Sequence, residues 1–308
     1  MYDVGDMSVS RRGFARLAGT AALGRAPLAG WSAPITAQQV VQRIQTNIGV
    51  PWKESPLDTF KCGDPGAPLS GIAVTGMATM DVIKRATQQK ANFVVTLEPT
   101  FFMRFDGQPD PNARGSALGS TTFPADDPVV KGKQDYLRKN NIVVWRFADH
   151  WRMRKPDPLR TGLANALGWS KYQVGADPGT YHLPDGTLGA LVEHVATRLG
   201  ARAGVRVIGD PPSRVRRVTL LPGATPLAAT VGALPDCDVV LAGEAREWES
   251  VEYARDTVAA GQKKGFVMVG KLLSEEPGMS LCADWLKPLV PEVRVHWVAA
   301  GDPYWRPA

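Results

Sequence analysis

Short apolar runs alternate with stretches of helical spacing along most of this chain, and that alternation limits the folds open to it more than any other feature. Residues 71–75, 93–96, 142–147, 205–208, 215–221, 239–242, 264–269 and 293–298 read as strands. Residues 35–48, 79–90, 129–140, 188–199, 225–234, a stretch reaching about Ala259, and 280–286 read as helices. The first helix has Thr36 as its cap and stops at Gly49-Val50-Pro51, and the second turns Met80, Ile83 and Ala86 or Thr87 inward. Strand, helix and strand in that order imply parallel pairing through right-handed crossovers, hence an α/β fold.

In such sheets, ligands sit beyond the carboxyl ends of the strands. Four of the apolar runs end there in charged residues: Glu98 before Pro99, Asp149 with His150, Glu244 with Glu247, and Lys271 with Glu275. Each alone has a plainer reading. Glu244, Glu247, Glu275 and Glu276 lie near helix starts, where acids complement the helix dipole, and Asp149-His150 suits a surface loop. Together they are expected on one sheet edge, with Glu98 facing a shared pocket rather than solvent.

A length of 308 residues allows one large or two modest domains with a real core. The net charge of +6 suits an anionic partner, but no Lys/Arg block with interleaved aromatics marks a nucleic-acid track. Apart from residues 15–33, no stretch approaches the roughly 18 apolar residues of a membrane span. Cys62, Cys237 and Cys282 share no metal or redox spacing, and whether any two pair is left open. Ser10-Arg11-Arg12-Gly13-Phe14, followed by the Ala/Gly/Leu-rich residues 15–33, reads as a twin-arginine address cleaved near Ala33, or as a disordered basic leader. The protein is periplasmic or secreted in the first case and cytoplasmic in the second. Residues 106–128, rich in Gly, Pro and Ser, read as a lid or as disorder. No GxSxG, phosphate loop or GxGxxG occurs. Most tryptophans are expected in the core. Trp151 and Trp248 flank the charged candidates, and Phe101 and Phe102 follow Glu98, so these four are candidates for lining the pocket.

Five segments, in order, carry a family resemblance: GIAVTGMATMDVIKRA (71–86), FVVTLEPTFF (93–102), VVWRFADHW (143–151), GEAREWESVEYARD (243–256) and VGKLLSEEPGM (269–279). Together they resemble the NIF-three-like dinuclear-metal-centre proteins, also called GTP cyclohydrolase type two homologues, and within them a subgroup with twin-arginine leaders. The resemblance runs from about Ile35 to Pro307. It implies two similar α/β halves with mixed sheets flanked by helices, at 34–155 and 215–308, joined by an inserted segment at 156–214, with a cleft between them. It also implies homo-oligomers, often hexameric toroids, and two divalent metals held by His and carboxylate ligands for metal-dependent hydrolysis.

Carried over residue by residue, that metal site is depleted. Leu97-Glu98 stands where the motif supplies one or two histidines. A histidine at Ala148 and a ligand at Arg152 are missing, although Asp149 and His150 remain. Glu244 and Glu275 are kept, while Glu247 and Lys271 stand at histidine positions. Divalent transition metals favour imidazole and carboxylate ligands, which protonated Arg and Lys cannot replace, but those cations can neutralise a buried carboxylate cluster. The expectation is a hydrolase-like or lyase-like enzyme without a cofactor, acting on a small anionic substrate. Glu98 or Glu247 would serve as general acid or base, and Lys271, Arg152 or His150 would orient the substrate. Two alternatives stand beside it: a non-catalytic binding or scaffold member with a vestigial site, or a divalent metal bound weakly by Glu98, Asp149, His150, Glu244 and Glu275.

Overall fold

A computed structural model describes residues 34–106, 126–176, 179–201 and 204–305. The twin-arginine stretch and most of the loop expected at 106–128 lie outside the described residues. Pro34–Ala308 form one compact unit.

Its elements run in chain order α1 (Ala37–Asn47), β1 (Phe60–Cys62), β2 (Ile72–Thr75), α2 (Met80–Gln88), β3 (Phe93–Thr96), α3 (Pro128–Lys139), β4 (Val143–Arg146), α4 (Asp149–Met153) and α5 (Pro158–Leu167). Then come β5 (Gln173–Val174), β6 (Thr180–Thr187), α6 (Leu188–Leu199), β7 (Arg206–Ile208), β8 (Arg214–Ala224), α7 (Leu227–Ala233), β9 (Val239–Glu244), α8 (Glu252–Ala259), β10 (Gly265–Met268), α9 (Lys271–Leu286) and β11 (Val295–Trp297). The strands form two sheets, in the orders β1-β4-β3-β2-β11 and β5-β6-β8-β9-β10-β7. The interior pairs β4-β3-β2-β11 and β8-β9-β10 are parallel, while β1, β5, β6 and β7 pair antiparallel.

The apolar runs are continuous because both faces of each sheet are covered. Phe93 and Val95 point into the core shared with α1 and α9, whereas Val94 points into the core under α2 and α3. In the second sheet, Val218 and Leu220 face α5 and α6, and Val240 and Ala242 face the α7 and α8 side. Caps fix the helix starts: Thr36 and Gln39 form a reciprocal capping box on α1, and Asp127 and Asp157 cap α3 and α5 ahead of prolines at the first turn.

Two features go beyond the expected elements. β5 and β6 are not among the expected strands, and with β7 they bring residues 156–214 into the second sheet, while β11 joins the first sheet beside β2. Helix α9 begins at Lys271 rather than near residue 280, and it runs through Pro277. It packs against β2 and β11 of one sheet and β8 and β9 of the other. The backbones of α5 and α9 touch at Gly162 and Gly278, where a Cβ on either glycine would strike the opposite helix.

Candidate functional site

Helix α9 carries the site because its first turn lies where the ends of the two sheets meet. Gly270, with φ +97, turns the chain out of β10 into the helix. Lys271 and Glu275 follow one turn apart, on the same helix face. Glu98 comes from the end of β3, its N–H bonded to the Gly76 carbonyl, and Arg152 comes from α4.

These four side chains form a closed ring of alternating charge. Arg152 Nη1 donates to Glu275 Oε1 at 2.6 Å and Nη2 to Glu98 Oε1 at 2.9 Å. Lys271 Nζ lies 2.5 Å from Glu98 Oε1 and 2.7 Å from Glu275 Oε2. Glu275 is fully buried, while Glu98 and Lys271 keep 13% and 23% of their side chains exposed. Burial by itself lowers the Arg152 pKa, but the charges of Glu275 and Glu98 and the hydrogen bond to Glu275 outweigh it and hold the guanidinium above its ordinary value.

The second sheet makes room for this ring. Gly223, with φ +82, sits against Glu275, and a Cβ there would collide with its carboxylate. Ser274 Oγ accepts from Gly223 N at 2.9 Å and donates to the Lys271 carbonyl at 2.6 Å, which ties β8 to the first turn of α9. Glu98 and Lys271 also face a cavity of about 670 Å³, together with Glu244, Arg206, Tyr304 and Trp305. That size matches a small-molecule site.

The other candidates lie elsewhere. His150 is 1% exposed; its Nε2 accepts the Lys53 N–H at 3.1 Å and its Nδ1 donates to Asp58 at 2.6 Å, beneath the stacked ring of Trp52. Both ring nitrogens are thus occupied, which corrects the expectation that His150 orients a substrate or binds metal. Asp58 was not expected from the sequence: it also accepts the N–H groups of Ala148, Asp149 and His150, capping α4 from a distant loop, and no local pattern announces it. Asp149 accepts from Ser55 Oγ at 2.6 Å. Trp151 is 1% exposed and packs on Phe147 and Trp285, so it is core rather than pocket lining. Phe101 is buried under α2 and α3. Phe102 lies on the surface, with the Lys133 ammonium over its ring. Glu247 and Trp248 are exposed: Glu247 pairs with Arg206 at 3.7 Å on the cavity rim, and Trp248 lies beneath Arg246. Tyr304 was not expected at the site, because no periodicity marks the tail that carries it, and Trp305, counted with the tryptophans expected in the core, is exposed instead.

A dinuclear metal centre does not fit these residues. Oε1 of Glu98 and both oxygens of Glu275 are engaged by Arg152 and Lys271, and His150 is spent on Asp58 and Lys53. Among the described residues no group of three or more His, Cys, Asp or Glu side chains is placed to hold a metal ion. The three cysteines are free thiols, and no described helix is long and apolar enough to cross a membrane.

The architecture is that of a two-sheet α/β protein, and solved structures share it. A Staphylococcus aureus hypothetical protein, 13% identical, superposes with a TM-score of 0.68, covering 89% of this chain and 99% of that one. A Bacillus cereus protein related to NIF3, 15% identical, gives 0.67 over 89% of this chain and 100% of that one. A Thermus thermophilus protein, 18% identical, gives 0.59 over 88% and 99%. No family model matches the chain, and no curated protein is significantly similar to it. At such identities the likeness establishes the fold, which is the one the ordered motifs implied.

Proposed function

We propose that this chain is a NIF-three-like protein in which cations have taken the place of metals, and that it is a hydrolase-like or lyase-like enzyme for a small anionic ligand. One observation carries this reading: Glu98 and Lys271, 2.5 Å apart in the charge ring, are also the ring members that face the cavity. Arg152 and Lys271 both hold Oε1 of Glu98, so Oε2 is the oxygen to which a substrate or water proton would pass. Negative charge developing on the substrate would meet the Lys271 ammonium at the positive start of α9. Glu244, on the same cavity wall, supplies a second carboxylate for proton return.

The second reading, a non-catalytic binding protein with a vestigial site, is favoured by the ring's own balance, since four charges that satisfy one another need no ligand. Turnover of p-nitrophenyl phosphate, sulfate and acetate by chelator-treated protein separates the two. The enzyme reading expects turnover that survives chelation and falls about a hundredfold or more in Glu98→Gln, the usual scale of a lost general base. Turnover that disappears on chelation and returns with a divalent ion overturns metal independence. Equal turnover in Glu98→Gln removes Glu98 from the chemistry.

A further inference from the structure

After β11 the chain forms a strap that is tied down at its root and open at its tip. Arg85 Nη2 donates to the Ala299 carbonyl at 2.6 Å. Glu276 Oε1, buried in α9, accepts the N–H groups of Ala300 and Gly301 at 2.5 and 3.0 Å. Gly301, with φ +73, then turns the chain along the cavity that residues 300–305 help to line. Past this anchor, Tyr304 and Trp305 line the cavity while remaining 73% and 83% exposed. Large aromatic side chains left open to water at the edge of a concave site are informative in a way that scattered surface apolar groups are not.

The cavity is also mixed in character. Glu98, Arg206, Glu244, Lys271 and Asp302 bring charge to its lining, while Met77, Val269, Leu272 and Pro303 join the two rings in bringing apolar surface. A bare oxyanion at Lys271 would leave much of about 670 Å³ unfilled. We propose that the ligand carries a planar aromatic ring that stacks on Trp305 and Tyr304 while its anionic group lies toward Lys271. The anionic end rests on the functional reading above; the ring does not. Aromatic faces reward flat rings over saturated ones of similar size, because stacking adds to apolar burial.

Calorimetric titration of the full chain with 1-naphthyl phosphate, cyclohexyl phosphate and 1-naphthol tests this. The naphthyl ester is expected to bind roughly tenfold tighter than the cyclohexyl ester, the scale of one stacked ring. Trp305→Ala should bring that ratio close to one, and Trp305→Phe should keep most of it; both substitutions fall on an exposed residue that the fold does not need. Equal affinity for the two esters, a ratio unchanged by Trp305→Ala, or no binding of either naphthyl compound overturns the inference. If 1-naphthol binds as tightly as its phosphate and still depends on Trp305, the ring assignment stands and the anionic reading fails.

Discussion

Around Glu98 two cations meet two carboxylates, whereas around Asp106, some residues further along the same connection, three cations meet one. Lys61 and Arg146 lie 3.3 and 3.7 Å from Asp106 Oδ2, and Lys133 completes the group. All are buried. The excess of positive charge does not make an anion site, because its protons go to carbonyl groups. Arg146 Nε donates to Leu97 O at 3.1 Å, and Lys133 Nζ to Thr100 O at 2.5 Å. Those carbonyls belong to the segment that follows β3, so the cluster clamps the backbone that presents Glu98. In the ring, cations satisfy carboxylates and leave Glu98 and Lys271 at a cavity. In the clamp they satisfy backbone, and burial draws the Lys133 pKa down to about 8.

Breaking the ring should cost most. Lys271→Met leaves fully buried Glu275 with one cation instead of two, and is expected to destabilise the fold by about 3 kcal/mol in urea unfolding. Adding Glu275→Gln should recover much of that loss. If the single change is neutral, the ring is not a unit and Lys271 is free to serve a ligand alone.

The clamp should show itself through pH. Lys133 titrates near 8 when folded against its ordinary 10.5, so between those values the folded state binds fewer protons and this residue makes the protein more stable as pH rises. The wild type should therefore gain about 1.5 kcal/mol over Lys133→Met between pH 8 and 9.5. Parallel stability curves for the two proteins would show that the ammonium is not desolvated. Glu247→Gln is the smallest expected change. Its partner Arg206 is itself exposed, and the pair should be worth less than about 0.5 kcal/mol. A larger loss would place Glu247 inside the ring's network.

Much of the fold was legible because covered sheets leave unbroken apolar runs. Phe93–Thr96 and Leu188–Leu199 fall where periodicity puts them, and the strand ends name Glu98, Lys271 and Glu275. What stayed hidden was what local preference argues against. The first half of α9 reads as a break at Glu276-Pro277-Gly278, yet packing between two sheets overrides the cost of an interior proline, and Gly278 is needed for contact with Gly162. β6 has no counterpart among the expected strands; it contains Pro184-Asp185-Gly186, and its pairing register shifts between His182 and Gly186.

The sequence by itself therefore determined that the chain alternates strands with helices, and which acids and bases stand at the strand ends, because those follow from period and position along the chain. Only the tertiary structure decided which charges neutralise which. Glu98, Arg152 and Glu275 are far apart in sequence and meet because α9 lies between two sheets. His150, two residues from Arg152, turns instead to Asp58, because neighbouring positions on a helix face different directions.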